Sequence, residues 1–522
     1  MKLLYKSLFI LPLALTGVLS SCIEDESAYG GAALPSISVM GSDSDKPYEM
    51  NFNYGEDCVI DPQVRYDGTG TLSYSWSVAT YTNGVRGQLS EVSNEPVFSY
   101  FFPEGGMYIV QLNATDGTIG ISQEYQVNMN RTFEQGYALV SNDANGVGNL
   151  AFIKSLTAED IDAGISQIII EHSLEAINKD LPAEEIKGIY KLMLTYPKMV
   201  TRIVVVTTGS THFLDPNTFM AMTSVDYNKI IPGFKSDIAW GGASAINLYD
   251  SSLKRFITVN ATNMFGYEST DLAGYEPDDV IAGGNYEAWG SLTYINYFLL
   301  KNPMRFYGKY TSTTDWVTRW NYSSELRIDG HPLFENEELI KAFMGVKIPG
   351  VYSDTYPNYV ITRDVTTGKY YNSYVNELSG GSYYPMELVS RAEIKVDAST
   401  AVPTEASNMV PSHNYSRTYY SVGNSVYVAL LLSDNSFSFP STSQACLSYP
   451  GEEVTALYVR DSSRNDGSDQ LCVATVNQAT GRGNLYIYKV ADVRTDNPNP
   501  TPVDSYKNCA DRITTIFYKP RV

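Results

Sequence analysis

Residues 136–154 read GYALVSNDANGVGNLAFIK, and this stretch decides the fold. Gly136–Val140 and Asn149–Lys154 are apolar runs of strand length, separated by Asn142-Asp143-Ala144-Asn145-Gly146. Asn and Asp bond their own backbone and Gly takes a left-handed φ without strain, so the middle is a turn and the whole a hairpin. The same grammar recurs downstream. Strands are expected at Arg202–Thr207, Ala245–Tyr249, Arg255–Val259, Leu292–Phe298, Tyr359–Thr362, Ser425–Leu432, Glu453–Arg460, Gln470–Val476, Asn484–Val490 and Arg512–Tyr518. Turn formers such as Thr366-Thr367-Gly368-Lys369, Ser433-Asp434-Asn435 and Ala479-Thr480-Gly481-Arg482-Gly483 punctuate them. Hairpins continuing over residues 131–522, at roughly 40–50 residues per unit, fit a β-propeller of about seven or eight blades. Ile203-Val204-Val205-Val206 is apolar on both faces, as an inner blade strand covered on each side should be.

One segment, 157–194, breaks the pattern. Ile165, Ile168, Ile169, His172, Leu174 and Ile177 recur near helical spacing, and Pro182-Ala183-Glu184-Glu185 reads as the start of a second amphipathic helix. A short helical insertion is therefore expected along one rim of the propeller.

Residues 34–130 are also β, with a different rhythm. Leu72, Tyr74, Trp76 and Val78 alternate with Ser73, Ser75 and Ser77, and Tyr108, Val110, Leu112 and Ala114 alternate before the turn Asp116-Gly117. A strand Trp facing a later alternating strand is how an immunoglobulin-like sandwich builds its core, which makes Trp76 the central plug. Tyr74-x-Trp76 and Gly106-x-Tyr108-x-Val110-x-Leu112-x-Ala114-Thr115-Asp116-Gly117 resemble the polycystic-kidney-disease (PKD) family of sandwich domains. The aspartate and glycine run usual after the tryptophan is replaced by Ser77-Val78-Ala79, so the resemblance is to the divergent, PKD-like version.

The N-terminus supplies an address. Lys2 and Lys6 precede the apolar run Leu8 to Val18, and Leu19-Ser20-Ser21 leads into Cys22, the pattern of a secretory signal over residues 1–21. Cys22 at the cut resembles the lipobox of bacterial lipoproteins, which implies acylation of that cysteine. Residues 22–33 then form a tether. Its acidic tract Ile23-Glu24-Asp25-Glu26-Ser27 looks like an export signal to the outer face of the outer membrane, and Gly30-Gly31-Ala32-Ala33 is flexible. Lipobox, PKD-like domain, the start Gly136–Val140 and the close Ile513–Lys519 together resemble the PKD-like family of surface lipoproteins. The resemblance implies a propeller-like C-terminal region and a place beside a TonB-dependent nutrient transporter.

Charge narrows the partners. A net charge of −21 repels nucleic acid and anionic polysaccharide, leaving neutral glycan, peptide or protein as ligands. The 41 tyrosines suit wet, carbohydrate-like or protein interfaces, because the ring packs while the hydroxyl stays bonded. Chemistry is sparse. His172, His212, His331 and His413 lie far apart without zinc spacing, and His212 in Gly209-Ser210-Thr211-His212 reads as a surface turn residue. Phosphate loops and nucleophile elbows do not occur, and no cofactor motif stands out. Asp278-Asp279 and Glu337-Glu338 could supply a glycosidase acid and base only at the right tertiary distance. Asp461, Asn465, Asp466 and Asp469 are oxygen-rich but lack a calcium-loop pattern. Cys58, Cys446, Cys472 and Cys509 lack metal spacing and read as buried thiols, with one disulfide among the last three as the alternative in an exported protein.

Aromatic clusters remain. Trp289, Arg305, Tyr307, Trp316, Arg319 and Trp320 mix flat rings with hydrogen-bonding side chains, the chemistry that holds a sugar's C–H face and hydroxyls. The chain thus reads as a lipid-anchored binding component that captures glycan, with peptide or protein docking as the second reading. A glycoside hydrolase or lyase on a propeller is the third.

Overall fold

The opening hairpin forms in the register that its turn dictates. Gly136–Asn142 pairs with Gly148–Lys154 from Gly136↔Lys154 to Asn142↔Gly148. At its tip, Asp143 Oδ1 accepts from the backbone N–H groups of Asn145 and Val147, both at 2.8 Å, and Gly146 takes φ 78°. The computed structural model describes residues 35–520 apart from short breaks, the longest at 40–47, 270–278, 313–322, 345–357, 378–385 and 461–467. For the strands between 279 and 332 the backbone alone is described.

Two compact units emerge, one from most of residues 35–127 and one from 128 onward with the short pieces 51–57 and 101–106. In the first, Ser73–Thr82 pairs antiparallel with Gly106–Thr115, from Ser73↔Thr115 to Thr80↔Tyr108. Trp76 is fully buried on this sheet, its ring 5.0 Å from Phe98 and 5.9 Å from Tyr125, and its Nε1 donates to Glu95 O at 2.9 Å. Tyr108, Val110, Leu112 and Ala114 form the buried face of the partner strand, as their alternation requires.

Among the described residues the second unit carries seven antiparallel sheets of four or five strands, besides a two-stranded one that pairs Arg327–Ile328 with His331–Pro332. The inner strands of the seven are Arg512–Lys519, Ile186–Leu194, Ile238–Gly242, Asp279–Ala288, Glu337–Met344, Met409–Ser412 and Glu452–Arg460. Each inner strand touches the next in that order, and the last returns to the first. The unit is therefore propeller-like. The chain's last strand, Arg512–Lys519, pairs with Gly136–Asn142 and so completes the first sheet from the opposite end of the sequence. Closing the ring this way removes the open series of sheets that a linear stack would leave.

Apolar layers between successive sheets hold the ring. In Val200–Thr207, Ile203 and Val205 pack toward Val140, Leu150 and Phe152 of the first sheet. Val204 and Val206 pack toward Ile246, Leu248 and Ile257 of the third. That explains why Ile203–Val206 is apolar on both faces, although it lies second from the centre rather than innermost. Each such side chain contributes roughly 1.5–3 kcal/mol on burial. Cys58, Cys446, Cys472 and Cys509 are buried thiols, and burial pushes Cys58, Cys472 and Cys509 up to about 12.

The expected helical insertion is largely corrected. α-Helix occurs only as the five-residue pieces Ala158–Asp162 and Ser173–Ile177 among the described residues. Pro182-Ala183-Glu184-Glu185 starts no helix; Ile186–Leu194 is the inner strand of the second sheet, paired with Val200–Thr207. A helix would bury one stripe of this segment, whereas a blade strand has its backbone bonded along a ladder and both faces covered.

Candidate functional site

A pattern in the sequence marks where each sheet begins. The inner strands open on Glu184-Glu185-Ile186, Ser236-Asp237-Ile238, Asp278-Asp279-Val280, Glu337-Glu338-Leu339, Ser407-Asn408-Met409, Glu452-Glu453-Val454 and Asp511-Arg512-Ile513. The leading position always carries a side-chain oxygen. In the three Glu cases that oxygen accepts from a buried Thr on the second strand, pairing Glu184 with Thr207, Glu337 with Thr362 and Glu452 with Thr475. The clasps lie at the end of the sheets where the second strand turns into the third, since Ile186 pairs with Thr207 just before Thr208-Gly209.

Beside the first clasp lies a cleft of about 580 Å³, lined by Pro182, Glu184, Thr208, Gly209, Ser210, Asp226, Asn228, Gly233, Phe234 and Lys235. Glu184 is its fixed acid. Its Oε2 accepts from Thr207 Oγ1 and, at 3.1 Å, from Gly209 N–H, while Oε1 accepts no hydrogen bond among the described residues. A Cβ at position 209 would collide with that carboxylate, so Gly209 is what lets it lie over the turn. The opposite wall is the loop 226–235. Asp226 Oδ1 accepts from Asn228 N at 3.0 Å, and Asn228 Oδ1 accepts from Gly233 N at 2.8 Å, with Gly233 at φ 81°. Tyr227 N donates to Gly209 O at 3.0 Å and Ser236 N to Thr208 O at 2.7 Å, which ties loop to turn. Below, Phe234 is buried with its edge against Tyr227, 5.7 Å away, and Tyr227 shares a 2.7 Å hydroxyl bond with Thr211. Lys235 donates its backbone N–H to Asp250 at 2.6 Å, and its ammonium forms no ion pair among the described residues. The walls are thus held by the protein's own hydrogen bonds, while an acceptor and a donor are left unspent among the described residues.

His212 is corrected by the same region. It lies in Ser210–Leu214 and is buried, with Nδ1 2.8 Å from Ser224 Oγ and Nε2 without a partner. Burial pushes its imidazole below the ordinary value, and the charge of Glu184 opposes that only in part.

The aromatic candidates fare differently. Trp289, Trp316, Arg319 and Trp320 lie outside the described residues, as do Cys22, Asp461, Asn465 and Asp466. Arg305 and Tyr307 fall on the third strand of the fourth sheet, opposite Leu300 and Phe298. Glu337 and Glu338, adjacent in one strand, are each committed elsewhere, Glu337 to Arg391 and Thr362 and Glu338 to Arg363 at 2.6 Å. The cleft residues were missed because none belongs to a motif. The repeated acid-polar-apolar opening was the available signal.

No family model matches the chain, and none of the curated proteins does. Solved structures do. A quinonprotein alcohol dehydrogenase-like protein from Bacteroides thetaiotaomicron aligns over 92% of this chain and 99% of its own, at 12% identity and TM-score 0.44. A DUF4784 family protein from Bacteroides caccae covers 93% and 98%, at 10% identity and TM-score 0.30. Apo AztD from Citrobacter koseri covers 87% and 100%, at 7% identity and TM-score 0.34. At such scores these likenesses carry no functional argument, and the ring rests on this chain's own strand pairing.

Proposed function

We propose that the protein is a lipid-anchored surface component of the outer membrane that captures glycan without chemically changing it, beside a TonB-dependent uptake system. On this reading the N-terminal unit is a PKD-like, immunoglobulin-like sandwich and the second unit a seven-bladed propeller. The observation that carries it is the combination of a signal ending at Cys22 with a ring whose turn-lined end holds an ordered polar cleft. No helix among the described residues is long and apolar enough to cross a membrane, and the anchor is assigned to acyl chains on Cys22.

Hydrolysis on a propeller is the third reading, and the acid pair Glu337-Glu338 does not support it. A glycosidase needs two carboxyl groups facing each other across the bond. The described Glu337 and Glu338 are held by separate arginines instead. Docking of a charged protein is the second reading, supported by the −21 net charge. A glycan array probed with detergent-solubilised full chain, at low and high salt, separates the two. Capture of uncharged glycans that survives salt supports the first reading, and loss of every glycan signal overturns it. Anchoring is tested by Cys22→Ala, which should move the protein from the detergent phase to the aqueous phase; equal partitioning overturns the lipid anchor.

A further inference from the structure

We infer that the cleft between the Thr208–Ser210 turn of the second sheet and the loop 226–235 is a saccharide subsite, and that it selects uncharged, hydroxyl-rich sugars over charged ones. The inference rests on the capture reading above and adds the place and the recognition chemistry.

Size is the first argument. The cleft's volume of about 580 Å³ lies within the range of small-ligand sites, roughly 300–1,000 Å³. Its lining is the second. Glu184 Oε1 and Asp226 are acceptors, while Lys235, Ser210 and Thr208 are donors, and only Pro182 and Phe234 are apolar. A wall that sets hydrogen-bonding groups among apolar surface matches the hydroxyls and C–H faces of a sugar.

The charges decide among polar ligands. An anion would meet Glu184 and Asp226 inside a protein of net charge −21. A lone cation would suit the two carboxylates yet leave the ammonium of Lys235 facing a like charge. A sugar hydroxyl both donates and accepts, so a pair of neighbouring hydroxyls can satisfy carboxylate and ammonium together. The walls are also set in advance. Glu184 Oε2 is held by Thr207 and Gly209, which leaves Oε1 as the acceptor, and the Asp226–Asn228–Gly233 bonds fix the loop opposite. Preorganised acceptors lose less on binding than mobile ones. Gly209 and Gly233 contribute no side chains, so a rigid ring can approach the backbone of both walls.

The test is calorimetric titration of the detergent-solubilised full chain with cellotriose, maltotriose, xylotriose, trigalacturonate and a glucosamine trimer. Asp226→Asn and Lys235→Ala are the main variants because both side chains lie at the cleft's rim; Glu184→Gln is the third, since its loss also opens a clasp. At least one neutral trisaccharide should bind, with little change between low and high salt, and trigalacturonate should not. Each rim variant should weaken that binding about tenfold, as the loss of a hydrogen bond to a charged group does, at unchanged melting temperature. Neutral binding that all three variants leave intact overturns the cleft assignment while the capture reading stands. Salt-sensitive binding of the glucosamine trimer alone overturns the hydroxyl chemistry. If none of the five binds, the subsite is overturned, and the glycan array then decides the capture reading on its own.

Discussion

The seam where the ring closes and the cleft beside the Thr208–Ser210 turn are built on the same plan but spend their polar groups differently. At the seam, seventh sheet against first, charges are paired across the joint. Glu453 holds Arg512 at 2.6 Å, and Arg482 binds Asp511 at 2.7 Å and also Glu171. Arg460 lies 3.6 Å from the centre of the Tyr518 ring and shares Gln470 with Tyr137. At the cleft, the apolar layer beneath is as complete, with Val204, Val206 and Phe213 against Ile246, Leu248 and Ile257. Yet above it Glu184 Oε1 and Lys235 are left unpaired among the described residues. Paired groups strap two ends of a chain together, whereas unspent groups on a fixed frame are available to a ligand.

The contrast breaks most visibly at the closing strand. Deleting residues 512–522 removes the ladder from Gly136↔Lys519 to Asn142↔Arg512 and buried Ile513 and Ile516 with it. Several core side chains at about 2–5 kcal/mol each exceed the stability of an ordinary domain, so the ring should fail to melt cooperatively in calorimetry. A truncated chain with an unchanged transition would show that the seam does not hold the ring.

Arg482→Ala comes next. It strips Asp511 and Glu171 of a shared, partly buried partner and should cost about 1–3 kcal/mol by chemical denaturation. The corresponding loss of Lys235, which has no such partner, should leave stability unchanged within about 0.5 kcal/mol. Equal costs for the two would erase the distinction between seam and cleft.

The second sheet adds a pH dependence that the seam need not share. The folded imidazole of His212 is pushed below its ordinary value by burial, so the unfolded chain takes up the proton first. Its stabilising effect is therefore present above about pH 6.5 and is lost as pH falls toward the folded value, by at most about 1.4 kcal/mol per pH unit. Thermal melts at pH 7.5 and 5.5 should show a larger drop for the native protein than for His212→Leu; parallel drops would remove His212 as the cause. The smallest effect is expected at the exposed pair. Glu453→Gln should change stability by less than about 1 kcal/mol and less still in high salt, because side chains open to solvent at both ends are well screened.

Much of the ring was legible. The twelve strands proposed beyond residue 131 all have counterparts, because their turns are local: Asp364 Oδ1 caps Thr366 and Thr367 as Asn477 Oδ1 caps Ala479 and Thr480. Less apparent were strands such as Ser210–Leu214 and Tyr370–Glu377, where Thr, His, Tyr and Asn occupy buried positions. Thr211 bonds Tyr227, His212 bonds Ser224 and Asn372 donates to Asn435 O, partners that sequence spacing does not show. Ile186–Leu194 misled for a related reason. Its apolar residues fit helical spacing as well as a bulged strand, and the ladder with Val200–Thr207 decides between them.

By itself the sequence determined the local alphabet of this protein: the hairpin turns, the period-2 strands, the net negative charge, and the acid that opens most inner strands. These depend on residues within a few positions of one another, where steric and hydrogen-bonding preferences act directly. Only the tertiary structure decided that the last strand pairs with Gly136–Asn142, that His212 is buried, and that Glu184, Gly209 and Lys235 line one cleft. Those facts join residues tens to hundreds of positions apart. They are settled by packing neighbouring sheets and by closing a ring, which no local preference specifies.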